Sequence, residues 1–97
     1  LKEATKSPYG MMEDILAAMQ TTQKAVGKSN TNAASDLGVA ALNLKAGLQG
    51  AWLNVLINLS GVKDEAFVAD YRSKGEELLQ KGCALADEIY QEILKVV

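Results

Sequence analysis

Apolar and polar positions follow a helical period from one end of the chain to the other, and no stretch sustains β-branched alternation for the length of a strand. Ser7-Pro8 predicts a helix start, with serine as N-cap and proline at the first helical position. Met12, Ile15, Met19 and Val26 form the apolar side of this helix, which ends at the loop "GKSNTN". The opening "LKEAT" has helical composition but no start signal, so it reads as the tail of an element outside this chain. A second helix is expected from Ser35-Asp36 to about Leu59, closed by the turn "SGVK", and a third from Asp64 to the C-terminus without an internal proline.

The third segment carries two apolar lines. Phe67, Tyr71, Gly75, Leu78, Gly82, Leu85, Ile89, Ile93 and Val96 recur at steps of three and four, and the glycines invite close approach of a neighbour. Leu79, Cys83, Ala86, Tyr90 and Val97 run beside them. One neighbour cannot cover both lines. A helix of roughly 33 residues makes a rod of about 50 Å, whereas a compact domain of about 100 residues has a radius of gyration near 13 Å. The expectation is an all-α fold, a single partial domain over 1–97. Its three long helices would be part of a larger bundle completed by a missing N-terminal half, a second subunit, or both.

The second segment is nearly all apolar yet carries amides. At about 100° per residue, Asp36, Asn43, Asn54 and Asn58 fall within about 60° of one another, and Lys45 and Gln49 point the other way. Ala40, Gly47, Gly50 and Ala51 share the amide line. Two readings follow. Buried amides tie helices together through hydrogen bonds; alternatively, small residues floor a groove whose amide walls recognise a polar heterocycle. A membrane span of this length is disfavoured by its polar residues and the lack of apolar flanks.

Composition narrows the chemistry. The chain has 97 residues, 48% of them apolar, which suits a globular domain. A net charge of −2 with scattered Lys and Arg leaves no electrostatic footprint for nucleic acid. Cys83 stands alone, so no internal disulfide forms, and no secretory leader pattern opens the sequence; a cytoplasmic setting is the default expectation. There is no histidine, which removes Ser-His and Cys-His nucleophile pairs, imidazole bases and most zinc sites. Chemistry must come from carboxylates, amides, hydroxyls, lysine or backbone dipoles. Met12 and Met19 read as core, Cys83 as an inert buried thiol, and Glu76, Glu77, Asp87, Glu88 and Glu92 as the solvated side of the third helix.

The segments "SNTNAASDLGVAAL", "GAWLNVLINL" and "VKDEAF", in this order and spacing, resemble the C-terminal half of the cyclodeaminase domain of the formiminotransferase-cyclodeaminase family, which includes methenyltetrahydrofolate cyclohydrolases. The resemblance runs from about Lys2 to Ala69. The family's glycine-rich "PGGGS" helix start and its aspartate-containing segment have no counterpart in this chain, so the catalytic acid is expected outside it.

The resemblance implies an all-helical oligomer, at least a dimer, acting on a tetrahydrofolate derivative without a metal. Formiminotetrahydrofolate cyclodeaminase, releasing ammonia to give 5,10-methenyltetrahydrofolate, is the leading activity, with methenyltetrahydrofolate cyclohydrolase as the alternative. It further implies that Asp36 accepts hydrogen bonds from the pterin and is the one catalytic candidate in the chain. Asn30, Asn32, Ser35, Asn54 and Asn58 would contact the ligand, and Lys28 and Lys63 would attract a polyglutamate tail. Each has a plainer role: Asp36 as a helix-dipole partner, the loop asparagines as partners of their own backbone, the lysines as solvated charges. A non-catalytic helical assembly module is the competing class, in which the amides only fix register between subunits.

Overall fold

The computed structural model describes residues 2–28 and 31–97, with the side chains of residues 31 and 32 excepted. It consists of helix α1 (Lys2–Ala25), α2 (Thr31–Leu59) and α3 (Glu65–Leu94), packed against one another in an elongated bundle of 51 × 17 × 16 Å. The fold is all-α. The radius of gyration is 15.4 Å, above the value of about 13 Å for a compact 100-residue domain, because 30 residues of α3 at about 1.5 Å each set the length.

Helix α1 begins earlier than the Ser7-Pro8 signal. "KEAT" is continuous with it, and Pro8 lies inside it. Proline removes one helical hydrogen bond, the one to the carbonyl four residues back. That residue, Ala4, is exposed, so water can serve its carbonyl. Burial outweighs the lost bond: Thr5 and Pro8 are buried, and Lys2 Nζ donates to Asp64 Oδ2 at 2.7 Å, fastening the helix start to the foot of α3. At the other end Gly27 adopts φ +82°, the left-handed conformation that lets a glycine terminate a helix.

Helix α2 also starts before its expected cap. It enters at Thr31, and Ser35 and Asp36 lie exposed within it. Ala33 and Ala34 are strong helix formers, and buried Ala34 belongs to a cluster with Ala41, Ile89 and Ile93 that anchors this turn to the end of α3. Helix α3 starts where expected: the Asp64 carboxylate accepts from Phe67 N at 3.1 Å as its N-cap.

The core consists of Met12 and Met19 from α1, Leu48, Ala51, Trp52, Val55 and Leu59 from α2, and Ala86 from α3. The apolar lines of α3 are served within the chain over most of their length, whereas Tyr90, Val96 and Val97 stay exposed at its C-terminal end. A Cβ at Gly75 would overlap Trp52 Cζ3, and one at Gly82 would overlap Leu48 Cδ2, so each glycine is a hole filled by a knob from α2. Leu79 and Cys83 of the second line pack against the same core. A second uncovered apolar face lies on α2: Val39 is 53% exposed, Leu42 49%, Leu53 66% and Ile57 69%. Among the described residues no helix is long and apolar enough to cross a membrane.

Candidate functional site

The sequence-derived site residues divide between the two ends of α2. Near its start lie Lys28, exposed in the turn after α1, with Ser35 and Asp36, both exposed. Asn32 belongs to the first turn of the helix, its side chain outside the description, and Asn30 lies outside the described residues. Near its end lie Asn54, which is exposed, half-buried Asn58, and Lys63, exposed in the loop before α3. Eighteen residues separate Asp36 from Asn54, about 27 Å along the axis. Asp36, Asn54 and Asn58 share one edge of the helix, but the two groups do not meet around a single ring system.

Asn43 belongs to that edge too. It is exposed midway between the two groups, with Gly47 and Gly50 beside it. Gly47 marks where the edge borders α1, since a Cβ there would lie 3.5 Å from Ile15 Cδ1; one at Gly50 would meet nothing within 4 Å. Among the described residues the side-chain amides of Asn43 and Asn54 make no hydrogen bond within the chain, while Asn58 Nδ2 donates to Asn54 O at 2.8 Å, inside its own helix. Inside this chain, then, these amides do not tie α2 to α1 or α3. The edge is a shelf of small residues with two unengaged amides, which can donate to and accept from a polar heterocycle at once.

All twelve carboxylates of the chain are exposed, so none sits in the dry setting in which a general acid for neutral pH is built. Several are engaged on the surface: Asp87 with Lys45 at 2.8 Å, Glu76 with Arg72 at 3.6 Å and Glu92 with Lys95 at 3.0 Å. Burial pushes the Cys83 thiol up, with Asp87 adding to the effect against the opposing pull of Lys45; such a thiol is a poor nucleophile. Among the described residues no group of three potential ligands is placed to hold a metal ion.

A depression of about 250 Å³ lies between α1 and α3, lined by Tyr9, Leu16, Lys74, Glu77, Leu78 and Lys81. None of the candidate ligand-contacting residues of the sequence lines it. Lys74 Nζ lies 4.1 Å from the Tyr71 ring centroid and 5.2 Å from that of Tyr9, and 3.3 Å from Asp70. Burial, with Glu13 nearby, raises the Tyr9 phenol above its ordinary value. Tyr9 and Tyr71 meet edge to face at 5.3 Å and Phe67 stacks on Tyr71 at 4.5 Å. With its charge and rings already paired, this cluster is a seam between helices. Only the i, i+4 spacing of Phe67 and Tyr71 pointed to it in the sequence.

Residues 1–77 match the profile of the family described as Formiminotransferase-cyclodeaminase. The chain is 36% identical over 93 residues to a methenyltetrahydrofolate cyclohydrolase of Methylorubrum extorquens, covering 96% of this chain and 45% of that protein. It is 38% identical over 81 residues to the formimidoyltransferase-cyclodeaminase of Sus scrofa, covering 84% of this chain and 15% of that protein. The corresponding protein of Dictyostelium discoideum is 31% identical over 97 residues, covering 100% of this chain and 17% of that protein. The chain thus spans less than half the length of these relatives.

Proposed function

Since the chain belongs to the formiminotransferase-cyclodeaminase family, we propose that it supplies one wall of a folate site for one-carbon chemistry, and that the complete reaction is cyclodeamination of formiminotetrahydrofolate. A nitrogen of the folate attacks the formimino carbon, a tetrahedral centre forms, and ammonia leaves as its nitrogen takes up a proton, giving 5,10-methenyltetrahydrofolate. The observation that carries the assignment to α2 is its exposed edge of glycines and unengaged amides.

In this reading the folate lies along that edge. The pterin sits at the Asp36 end, where the carboxylate accepts from its donor edge and Asn32 and Ser35 flank it. Asn54 and Asn58 line the far part, and the glutamate tail runs toward Lys63. The separation of about 27 Å between Asp36 and Asn54 suits an extended ligand and leaves Lys28 at the pterin end, away from the tail. The proton donor comes from the part of the family domain that this chain does not span. The protein works without a metal, as a homo-oligomer in the cytoplasm, with neither nucleic acid nor membrane as partner. Its lone, half-buried Cys83 is compatible with a reducing compartment.

The second reading is methenyltetrahydrofolate cyclohydrolase, in which water adds to the methenyl carbon. It is favoured by the Methylorubrum relative, which carries that name and aligns with nearly the whole chain. The test is equilibrium binding of 5,10-methenyltetrahydrofolate in mono- and polyglutamylated forms. Asp36→Asn should weaken both, and Lys63→Ala only the polyglutamylated one. Unchanged binding in Asp36→Asn would reject this placement of the pterin.

A further inference from the structure

We infer that the depression between α1 and α3 is a binding site for a free α-amino acid with an apolar side chain, its ammonium taken by Glu77 and its carboxylate by Lys81. The site lies apart from the α2 edge and does not rest on the folate reading.

Three observations carry it. First, Glu77 and Lys81 stand one helical turn apart on α3 with the acid N-terminal to the base, the order in which such partners pair best. Comparable neighbours on the same helix do pair: Arg72 with Glu76 at 3.6 Å, Lys74 with Asp70 at 3.3 Å and Lys95 with Glu92 at 3.0 Å. Glu77 and Lys81 make no ion pair or hydrogen bond among the described residues, and both border the depression. Second, the rest of the lining is apolar and held in place. Leu16 and Leu78 are half-buried, Leu78 and Tyr9 pack against the core, and the Tyr9 ring is fixed edge to face on Tyr71 at 5.3 Å. Such a surface loses little freedom when a small apolar group settles on it. Lys74, the remaining lining residue, is engaged by Asp70 and two rings, so the free charges of the site are one anion and one cation. A phosphate or a dicarboxylate would set a like charge against Glu77, whereas a ligand with both charges on one carbon answers both side chains. Third, the volume of about 250 Å³ lies below the roughly 300 to 1,000 Å³ of pockets that take drug-sized molecules, and it suits a single amino acid better than a folate or a nucleotide. The apolar side chain then rests on Leu16, Leu78 and Tyr9, and the charged end stays at the rim, where Glu77 and Lys81 are exposed. Ion pairs at an exposed rim are weak, and dissociation in the millimolar range is the corresponding strength.

The test is a titration of the isotope-labelled 97-residue chain, followed by amide chemical shifts, with L-leucine and with two analogues that each lack one charge. Isocaproate has no ammonium, and isoamylamine has no carboxylate. Leucine should give saturable shifts centred on Tyr9, Leu16 and Leu78, and each analogue should bind at least about threefold more weakly. Glu77→Gln should erase the advantage of leucine over isocaproate, and Lys81→Met its advantage over isoamylamine. Helical content should be unchanged in both variants, because both side chains are exposed. Absence of saturable shifts up to the solubility limit of leucine would overturn the inference. Equal binding of leucine and isocaproate would overturn it by making the depression a plain anion site, and a response unchanged in both variants would overturn it by moving the ligand elsewhere.

Discussion

Gly75 and Gly82 show what a single residue decides in this bundle. Each is a hole in α3 that receives a large side chain of α2, Trp52 or Leu48. Gly75→Ala and Gly82→Ala should each lower the urea midpoint by the equivalent of about 1 to 3 kcal/mol, the usual cost of overpacking a filled core. Because the seam lies within one chain, the loss should not depend on protein concentration. The sequence announced close approach at these glycines, but their partners are long-range and lie on another helix, so periodicity alone did not say which neighbour fills them. The amides behave oppositely. Asn54→Leu and Asn58→Leu remove one intrahelical bond at most, so stability should stay within about 0.5 kcal/mol, as for ordinary surface changes, while folate affinity falls. A fall in melting temperature with unchanged affinity would return these residues to a structural role.

At the scale of the element, Asp64 carries two tasks. Its carboxylate accepts from Lys2 Nζ at 2.7 Å and caps α3 by accepting from Phe67 N at 3.1 Å. The Lys2 hydrogen bond first, and the Phe67 amide second, hold its pKa below the ordinary carboxylate value. A pKa lower in the folded than in the unfolded chain means that the contribution is full above the unfolded value and is lost as pH falls through the folded one. Asp64→Ala should therefore lower the urea midpoint at neutral pH and flatten its decline on acidification, and Lys2→Ala should do part of the same. A parallel pH profile in wild type and Asp64→Ala would contradict this. The cap was legible because Asp64 stands before an apolar period, and the structure uses it that way. The starts of α1 and α2 were not, because Ser7-Pro8 and Ser35-Asp36 imitate caps while buried Thr5, Pro8 and Ala34 carry the helices past them. Tertiary burial outweighs local signals of about 1 kcal/mol.

Across the whole molecule, the helical class and the amide edge of α2 followed from period and angle, whereas the position of the uncovered face did not. Trp52 and Leu48 of α2 fill the glycine holes of α3, and apolar surface is left over on the back of α2 as well as at the C-terminal end of α3. No carboxylate here is sheltered, so the chain by itself should release no ammonia from formiminotetrahydrofolate in a direct assay; release at a rate typical of enzymes, on the order of 1 per second or more, would contradict the division of labour proposed above. The claim beneath it is that α2 offers a folate-binding wall. Its most direct test is the melting temperature of the chain against added 5,10-methenyltetrahydrofolate. A ligand held by the folded state alone stabilises it through linkage, by about 2.7 kcal/mol at a hundredfold excess over the dissociation constant. The melting temperature should climb with the logarithm of folate concentration in wild type and climb less in Asp36→Asn and Asn54→Leu. A melting temperature that responds to protein concentration alone, flat against folate, would contradict it.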